Sequence, residues 1–223
     1  MLLTPEMIDM MLDSFIETLI MVGIAGVIGG AIGIPLGILL HVTSPQGILS
    51  AKVFNRTIGV LVNAVRSTPF IILLVAIQPL TRLIVGTSIG TSAALVPLTI
   101  AAAPMISRLV ESSLREVDKG LIEAALSMGA TSMQIIRKVL LPEALPGIIA
   151  GITIALVSLV GASAMAGAIG GGGLGKIAID YGFYRYKYLV MYVAVILLIL
   201  LVQLFQSVGT KLAAKCDKRL KNR

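Results

Sequence analysis

The chain has 223 residues, 57% of them apolar or aromatic and only 13% charged, with a mean hydropathy of +1.00. Soluble domains average about 45 to 50% apolar and about 25% charged residues, so the composition excludes a soluble enzyme and a disordered chain. It specifies one compact integral membrane domain, and the net charge of +7 then belongs to cytoplasmic loops, where Lys and Arg accumulate because they resist translocation. No nucleic-acid partner is implied.

At roughly 20 apolar residues per span, the length allows five or six spans with loops. The first stretch covers residues 15–40 and is interrupted only by Glu17 and Thr18 near its start. No Lys or Arg precedes it, because the first base is Lys52. A signal peptide needs a positive leading region, so a retained transmembrane helix is expected. The second stretch covers 58–77, although Pro69 and Pro79 also allow a register of about 69–86. Three more cover 91–106, 147–169 and 188–208, which gives an all-α integral membrane protein of five spans.

Charge sets the expected orientation. Glu6, Asp9 and Asp13 precede the first span with no base, whereas Lys211, Lys215, Lys218, Arg219, Lys221 and Arg223 follow the last. The N-terminus is expected outside and the C-terminus in the cytoplasm. Arg82, Lys176, Arg185 and Lys187 then lie outside, and the other fourteen bases lie inside. All five tyrosines, from Tyr181 to Tyr192, fall just before or at the start of the last span. Amphipathic rings suit the headgroup layer there. Cys216 is the single cysteine and lies in the basic tail, so no intrachain disulfide can form.

Gly29, Gly33 and Gly37 in the first span share one helical face, with Gly26 and Gly30 on an adjoining row. Gly147, Gly151 and Ala155 repeat the device at the start of the fourth span. Both read as close helix packing within the membrane.

Between the third and fourth spans, residues 108–146 alternate apolar and charged side chains without reaching spanning length. Asp118 can cap a helix from Lys119 to Met128 that carries Leu121, Ile122, Ala125 and Leu126 on one face. Gly129 follows where a left-handed residue is wanted. Thr131 and Gln134 have capping-box spacing and open a second helix through Leu140, which Pro142 and Pro146 are expected to close. Each helix would be ~15 Å long, half a bilayer core. A cytoplasmic helical hairpin is expected.

Glu123-Ala124-Ala125, then Gly129, then Val139-Leu140-Leu141-Pro142 resembles the EAA loop of ABC importer permeases, whose pattern is E-A-A, three residues, G, nine residues, I-x-L-P. Only Val139 departs from it. The runs 66–74 (RSTPFIILL), 84–90 (IVGTSIG) and 170–175 (GGGGLG) resemble the methionine importer permeases in particular, and the likeness covers roughly residues 60–210. It implies a type I ABC importer permease fold in a bacterial inner membrane. It also implies a hairpin that couples to an ATPase through Glu123, Ala124, Ala125, Gly129, Val139, Leu141 and Pro142. The implied partners are a second copy of the chain, two ATPase subunits and a periplasmic or lipid-anchored binding protein that delivers methionine or a related amino acid.

Gly170 to Lys176 also satisfies G-x-x-x-x-G-K, and Gly170, Gly172 and Gly175 satisfy G-x-G-x-x-G. Both motifs need a preceding strand, and the first needs Ser or Thr where Ile177 stands. No nucleotide site, catalytic residue, metal site or cofactor is expected in this chain, and the energy must come from a partner. The rival reading is an ion-coupled secondary amino-acid carrier, which would place acids inside the membrane. The five expected spans contain none beyond Glu17 at an edge. A receptor or assembly protein would need no polar lining, which Asn63, Ser67, Thr68, Ser158 and Ser163 could supply here. Gly161, Ala162, Ser163 and Ala164 are small enough to let two subunits approach and part, which places a gate near Ser158, Ser163 and Met165. Arg66 reads as an anchor near the cytoplasmic end of its span or as a contact to the hairpin or the ATPase, and His41 as an interfacial residue.

Overall fold

The computed structural model describes residues 5–217. The tail bases Lys218, Arg219, Lys221 and Arg223, which carry part of the charge asymmetry, lie outside the described residues. Every regular element among the described residues is helical.

Helix α1 spans Pro5–Val42, beginning well before the expected residue 15. Its first turns are amphipathic: Met11, Ser14 and Thr18 are buried, while Glu6, Asp9 and Asp13 are exposed. Met7, Met10 and Met11 pack against Ile177, Val190 and Ala194. A search for uninterrupted apolar runs misses such a turn, but the helical period carries it. At 38 residues and about 1.5 Å each, α1 is roughly 57 Å long, nearly twice the hydrocarbon thickness.

The second expected span is broken. Helix α2 (Lys52–Ser67) meets α3 (Phe70–Ala76) at an angle of 103°. Pro69 lacks an N–H and disfavours helical geometry at the residue before it. Thr68 is accordingly extended, with φ −80° and ψ 123°. The Thr68 hydroxyl donates to the Ala64 carbonyl at 3.0 Å, and that of Ser67 to the Asn63 carbonyl at 2.8 Å, so carbonyls at the break keep partners. Helix α4 (Gln78–Val85) follows with Pro79 in its first turn and ends at left-handed Gly86. Among the described residues there are therefore four long apolar helices, or five spans if the bent pair counts as one.

Helix α5 (Thr91–Arg115) is the central element and runs nine residues past the expected end at 106. Its Leu98, Ala102, Ile106, Val110 and Leu114 form the core with Met21, Val22 and Ala25 of α1 and Ala155, Leu159 and Val160 further along the chain. The glycine row of α1 explains the approach. A Cβ at Gly29 would stand 2.6 Å from the Ala102 methyl, and one at Gly33 2.6 Å from the Ala103 carbonyl. One at Gly37 would strike the Ser107 carbonyl.

The hairpin is α6 (Lys119–Ser127) and α7 (Ser132–Ile135). Contrary to expectation, Pro142 and Pro146 do not close the second arm. A π-helical turn at Ile136–Leu140 carries α7 directly into α8 (Leu141–Ala166), making one helical run from Ser132 to Gly171. Pro142 falls in the first turn of α8, and the wider i→i+5 turn before it suits a residue that has no N–H to offer. Past Ala166 the run turns at Ile169 (φ −114°, ψ 28°) and Gly170 (φ 96°). Helix α9 (Gly173–Ile177) and a π-helical stretch then lead to α10 (Tyr188–Cys216).

Candidate functional site: the hairpin and the passage beside it

The hairpin is fixed by local bonds at each end. Asp118 Oδ1 accepts from the Gly120 N–H at 2.7 Å. At the turn, the Gly129 N–H donates to the Leu126 carbonyl at 2.9 Å, and the Ala130 N–H donates to the Ala125 carbonyl at 3.0 Å. This paired closure requires the residue between to be left-handed, and Gly129 has φ +75°. The second arm opens with the reciprocal box: the Thr131 N–H donates to Gln134 Oε1 at 2.9 Å, and the Gln134 N–H donates to Thr131 Oγ1 at 3.4 Å.

Burial divides the motif residues into two roles. Ala125 is buried and Val139, Leu141 and Pro142 are half-buried, so these hold the hairpin to the body, whereas Glu123, Ala124 and Gly129 are exposed. The face expected to pack as a unit splits too. Ala125 and Ile122 turn inward, but Leu121, Leu126, Met128 and Met133 stay exposed. An apolar patch on a polar rim marks a protein contact.

Beneath the hairpin lies a cavity of about 660 Å³ bordered by His41, Gln46, Glu111, Arg115, Lys119 and Glu123. Glu111, which no sequence motif singles out, is its structural anchor. Although only 6% exposed, it accepts from Arg108 Nη1 at 2.6 Å and from Arg115 Nη2 at 2.8 Å. The second amino group of Arg108 reaches the Gly59 carbonyl of α2 at 2.9 Å. The R-x-x-E-x-x-x-R spacing is available in the sequence as a helix-face signal. A carboxylate held by two guanidinium groups is no free ion-binding acid.

A second cavity, of about 390 Å³, is bordered by Arg66, Thr68, Pro69, Met105, Ser158 and Ala162. The structure thus places Ser158 and Arg66 on the wall of one cavity. It does not bring Ser163 there: that residue is 1% exposed, and its hydroxyl donates to the Val160 carbonyl at 2.8 Å within its own helix. Ser158, Gly161 and Met165 form the exposed stripe of α8.

At the opposite end, the glycine-rich turn lies against α1. Glu17 Oε2 accepts from the Gly173 N–H at 2.6 Å, and Thr18 Oγ1 accepts from the Leu174 N–H at 2.9 Å. A carboxylate therefore occupies the position a phosphate would take in a nucleotide loop, and a helix rather than a strand comes before.

The sequence profile of the family described as "Binding-protein-dependent transport system inner membrane component" matches residues 33–217. The chain belongs to this family. The permease is 58% identical over 182 residues to the Vibrio cholerae protein named "Probable D-methionine transport system permease protein MetI", covering 82% of this chain and 81% of that one. It is 45% identical over 181 residues to the Bacillus subtilis "Methionine import system permease protein MetP", covering 81% and 82%. The solved structure "Inward facing conformations of the MetNI methionine ABC transporter" superposes with a TM-score of 0.94 at 50% identity, over 96% of this chain and 100% of that one. An amino acid ABC transporter crystallised with histidines superposes at 0.77 with 22% identity, over 93% of this chain and 94% of that one, and shares the fold. The permease has the type I ABC importer fold.

Proposed function

We propose that this permease is the membrane subunit of an ATP-driven methionine importer, working as a homodimer with two cytoplasmic ATPases and an external binding protein. The hairpin carries the reading. It is capped at both arms, closed by paired hydrogen bonds around left-handed Gly129, and exposes Glu123, Ala124, Leu126 and Met128 on a chain half identical in sequence to that of the MetNI transporter. Glu123 to Gly129 is the docking segment for the ATPase, while Val139, Leu141 and Pro142 join that segment to the membrane body.

The mechanism follows from the continuous helical run between Ser132 and Ala166. Closure of two ATPases would pull the two hairpins together. The second arm continues into α8 through the π-helical turn with no intervening loop, so Gln134 and Ser158 move as parts of one rod, about 36 Å apart at 1.5 Å per residue. The exposed stripe of Ser158 and Met165 then approaches or leaves its counterpart in the second copy, giving two states whose balance ATP and the loaded binding protein bias. Ser163 contributes as a small buried packing residue of the same gate. A zwitterion needs only hydrogen-bonding walls for passage, and discrimination resides in the binding protein's differential affinity.

The orientation that serves this cycle puts the hairpin in the cytoplasm and the α1 N-terminus outside a bacterial inner membrane. In intact cells an impermeant thiol reagent then labels a cysteine introduced at exposed Glu6 and spares Cys216. The functional test is uptake of labelled methionine by vesicles containing the permease, its ATPase and its binding protein. Uptake requiring all three parts and ATP supports the reading, whereas uptake of another solute with methionine untouched removes the substrate assignment. Uptake driven by an ion gradient without ATP would restore the secondary-carrier alternative. Glu111, the buried acid among the described residues, and Glu17 at the glycine turn already hold protein partners, which counts against that alternative.

A further inference from the structure

Just beyond α8 the helical backbone is lost at Ile169 and Gly170, so helical continuity cannot fix the glycine-rich turn that follows. Side chains from α1 do so instead. Glu17 accepts from Gly173 and Thr18 from Leu174, both bonds bridging 156 residues of sequence. Thr18 also donates to the Ser14 carbonyl at 2.9 Å, which sets the direction of its oxygen. The turn leaves no spare room for this seat. A Cβ at Gly172 would stand 2.7 Å from Thr91 Oγ1 and 2.9 Å from Glu17 Oε2, and one at Gly173 2.6 Å from Thr18 Oγ1. Gly172 and Gly173 have φ of +83° and +72°, which an L side chain resists. The Gly90 N–H, just before α5, holds the Gly170 carbonyl at 2.9 Å.

We propose that Glu17 and Thr18 are positioning residues that latch the far end of α8 to the α1 and α5 block, giving the rod a fixed pivot. Movement applied at the hairpin is then converted into displacement of the exposed stripe at Ser158 and Met165. Without the latch the rod and the glycine turn shift together, and ATP is spent with little passage opened. This rests on the importer reading for its transport readout but not for its geometry.

The test uses the complete complex in lipid vesicles, with Glu17→Ala, Glu17→Gln, Thr18→Val and Thr18→Ser. Hydrogen exchange at Gly173 and Leu174 reads the latch without any transported solute. Glu17→Ala and Thr18→Val should each accelerate it at least about tenfold, while exchange in α5 stays unchanged. Transport per ATP hydrolysed should fall about tenfold in the same two variants, with the hydrolysis rate within about twofold of the parent. Glu17→Gln and Thr18→Ser keep an accepting oxygen and should restore most of both readouts. Unchanged exchange in Glu17→Ala overturns the latch, as does uptake and hydrolysis falling in equal proportion, or failure of Glu17→Gln to rescue. Parent vesicles that show slow exchange at Gly173 but import no methionine would speak against the substrate reading and leave the latch to be judged by exchange alone.

Discussion

Arg108 donates to the Gly59 carbonyl at 2.9 Å while its other amino group holds Glu111 at 2.6 Å, so one guanidinium ties α2 to the central helix. Helix α2 buries only Val62, and this polar pin fixes it where apolar packing within the protomer is thin. Glu111→Ala should therefore cost about 3 to 5 kcal/mol, because it strands a largely buried Arg108 without its counter-ion. Glu111→Gln retains an acceptor and should cost less. Thermal unfolding of the detergent-solubilised permease, followed by cysteine reactivity at introduced sites on α2, measures the difference. Equal stability of Glu111→Ala and the parent would remove the pin.

The hairpin is largely legible in the sequence because each of its determinants is local. Asp118, Gly129, and the Thr131 and Gln134 pair each act on backbone groups a few residues away, and such signals survive without knowledge of the fold. The path of the second span is not legible, because Pro69 announces a break but says nothing of the 103° angle, which belongs to the tertiary placement of α3 with Leu73 and Leu74 buried. The continuity of α7 with α8 is hidden for a related reason: a proline breaks a helix only where its missing N–H is needed, and the π turn before Pro142 removes that need. Glu17 is beyond reach. Its partner is Gly173, and nothing local marks a carboxylate as a clasp rather than an edge charge.

Gly129→Val tests the turn. No atom lies within 4 Å of the position its Cβ would take, so the cost is confined to the backbone, of order 1 to 2 kcal/mol for forcing a β-branched residue left-handed. The permease should insert and unfold normally but co-purify poorly with its ATPase. Gly129→Asn, which tolerates that conformation, should retain more association. Full association and uptake in a well-expressed Gly129→Val protein would remove the coupling role from this turn.

Two neighbouring glycines in α1 should part company. Gly33→Ala must push against the Ala103 carbonyl and Ile106 and should destabilise by about 1 to 3 kcal/mol through overpacking. Gly30 has nothing within 4 Å of the same position, so Gly30→Ala should be neutral or stabilise by up to ~1 kcal/mol as a better helix former. Paired melting curves decide this, and a reversed order would mean that α1 and α5 do not meet along the glycine row.

Crosslinking separates the residues assigned to the gate. Met165 is 51% exposed and Ser163 1%, although only two positions apart. A cysteine at Met165 lies on the stripe that two copies would share, whereas one at Ser163 replaces a hydroxyl bonded to Val160 inside the protomer core. Met165→Cys should therefore form an intermolecular disulfide whose yield changes when ATP and loaded binding protein are added, since the two states differ in the separation of the stripes. Ser163→Cys should give little product in any condition. Ser158→Cys lies on the same exposed stripe but farther from the glycine turn. A rod pivoting at that turn carries it through a wider arc, so its yield should change in the same sense as that of Met165→Cys and by a larger factor. A yield at Met165 that stays constant across all conditions would place the gate elsewhere in the passage.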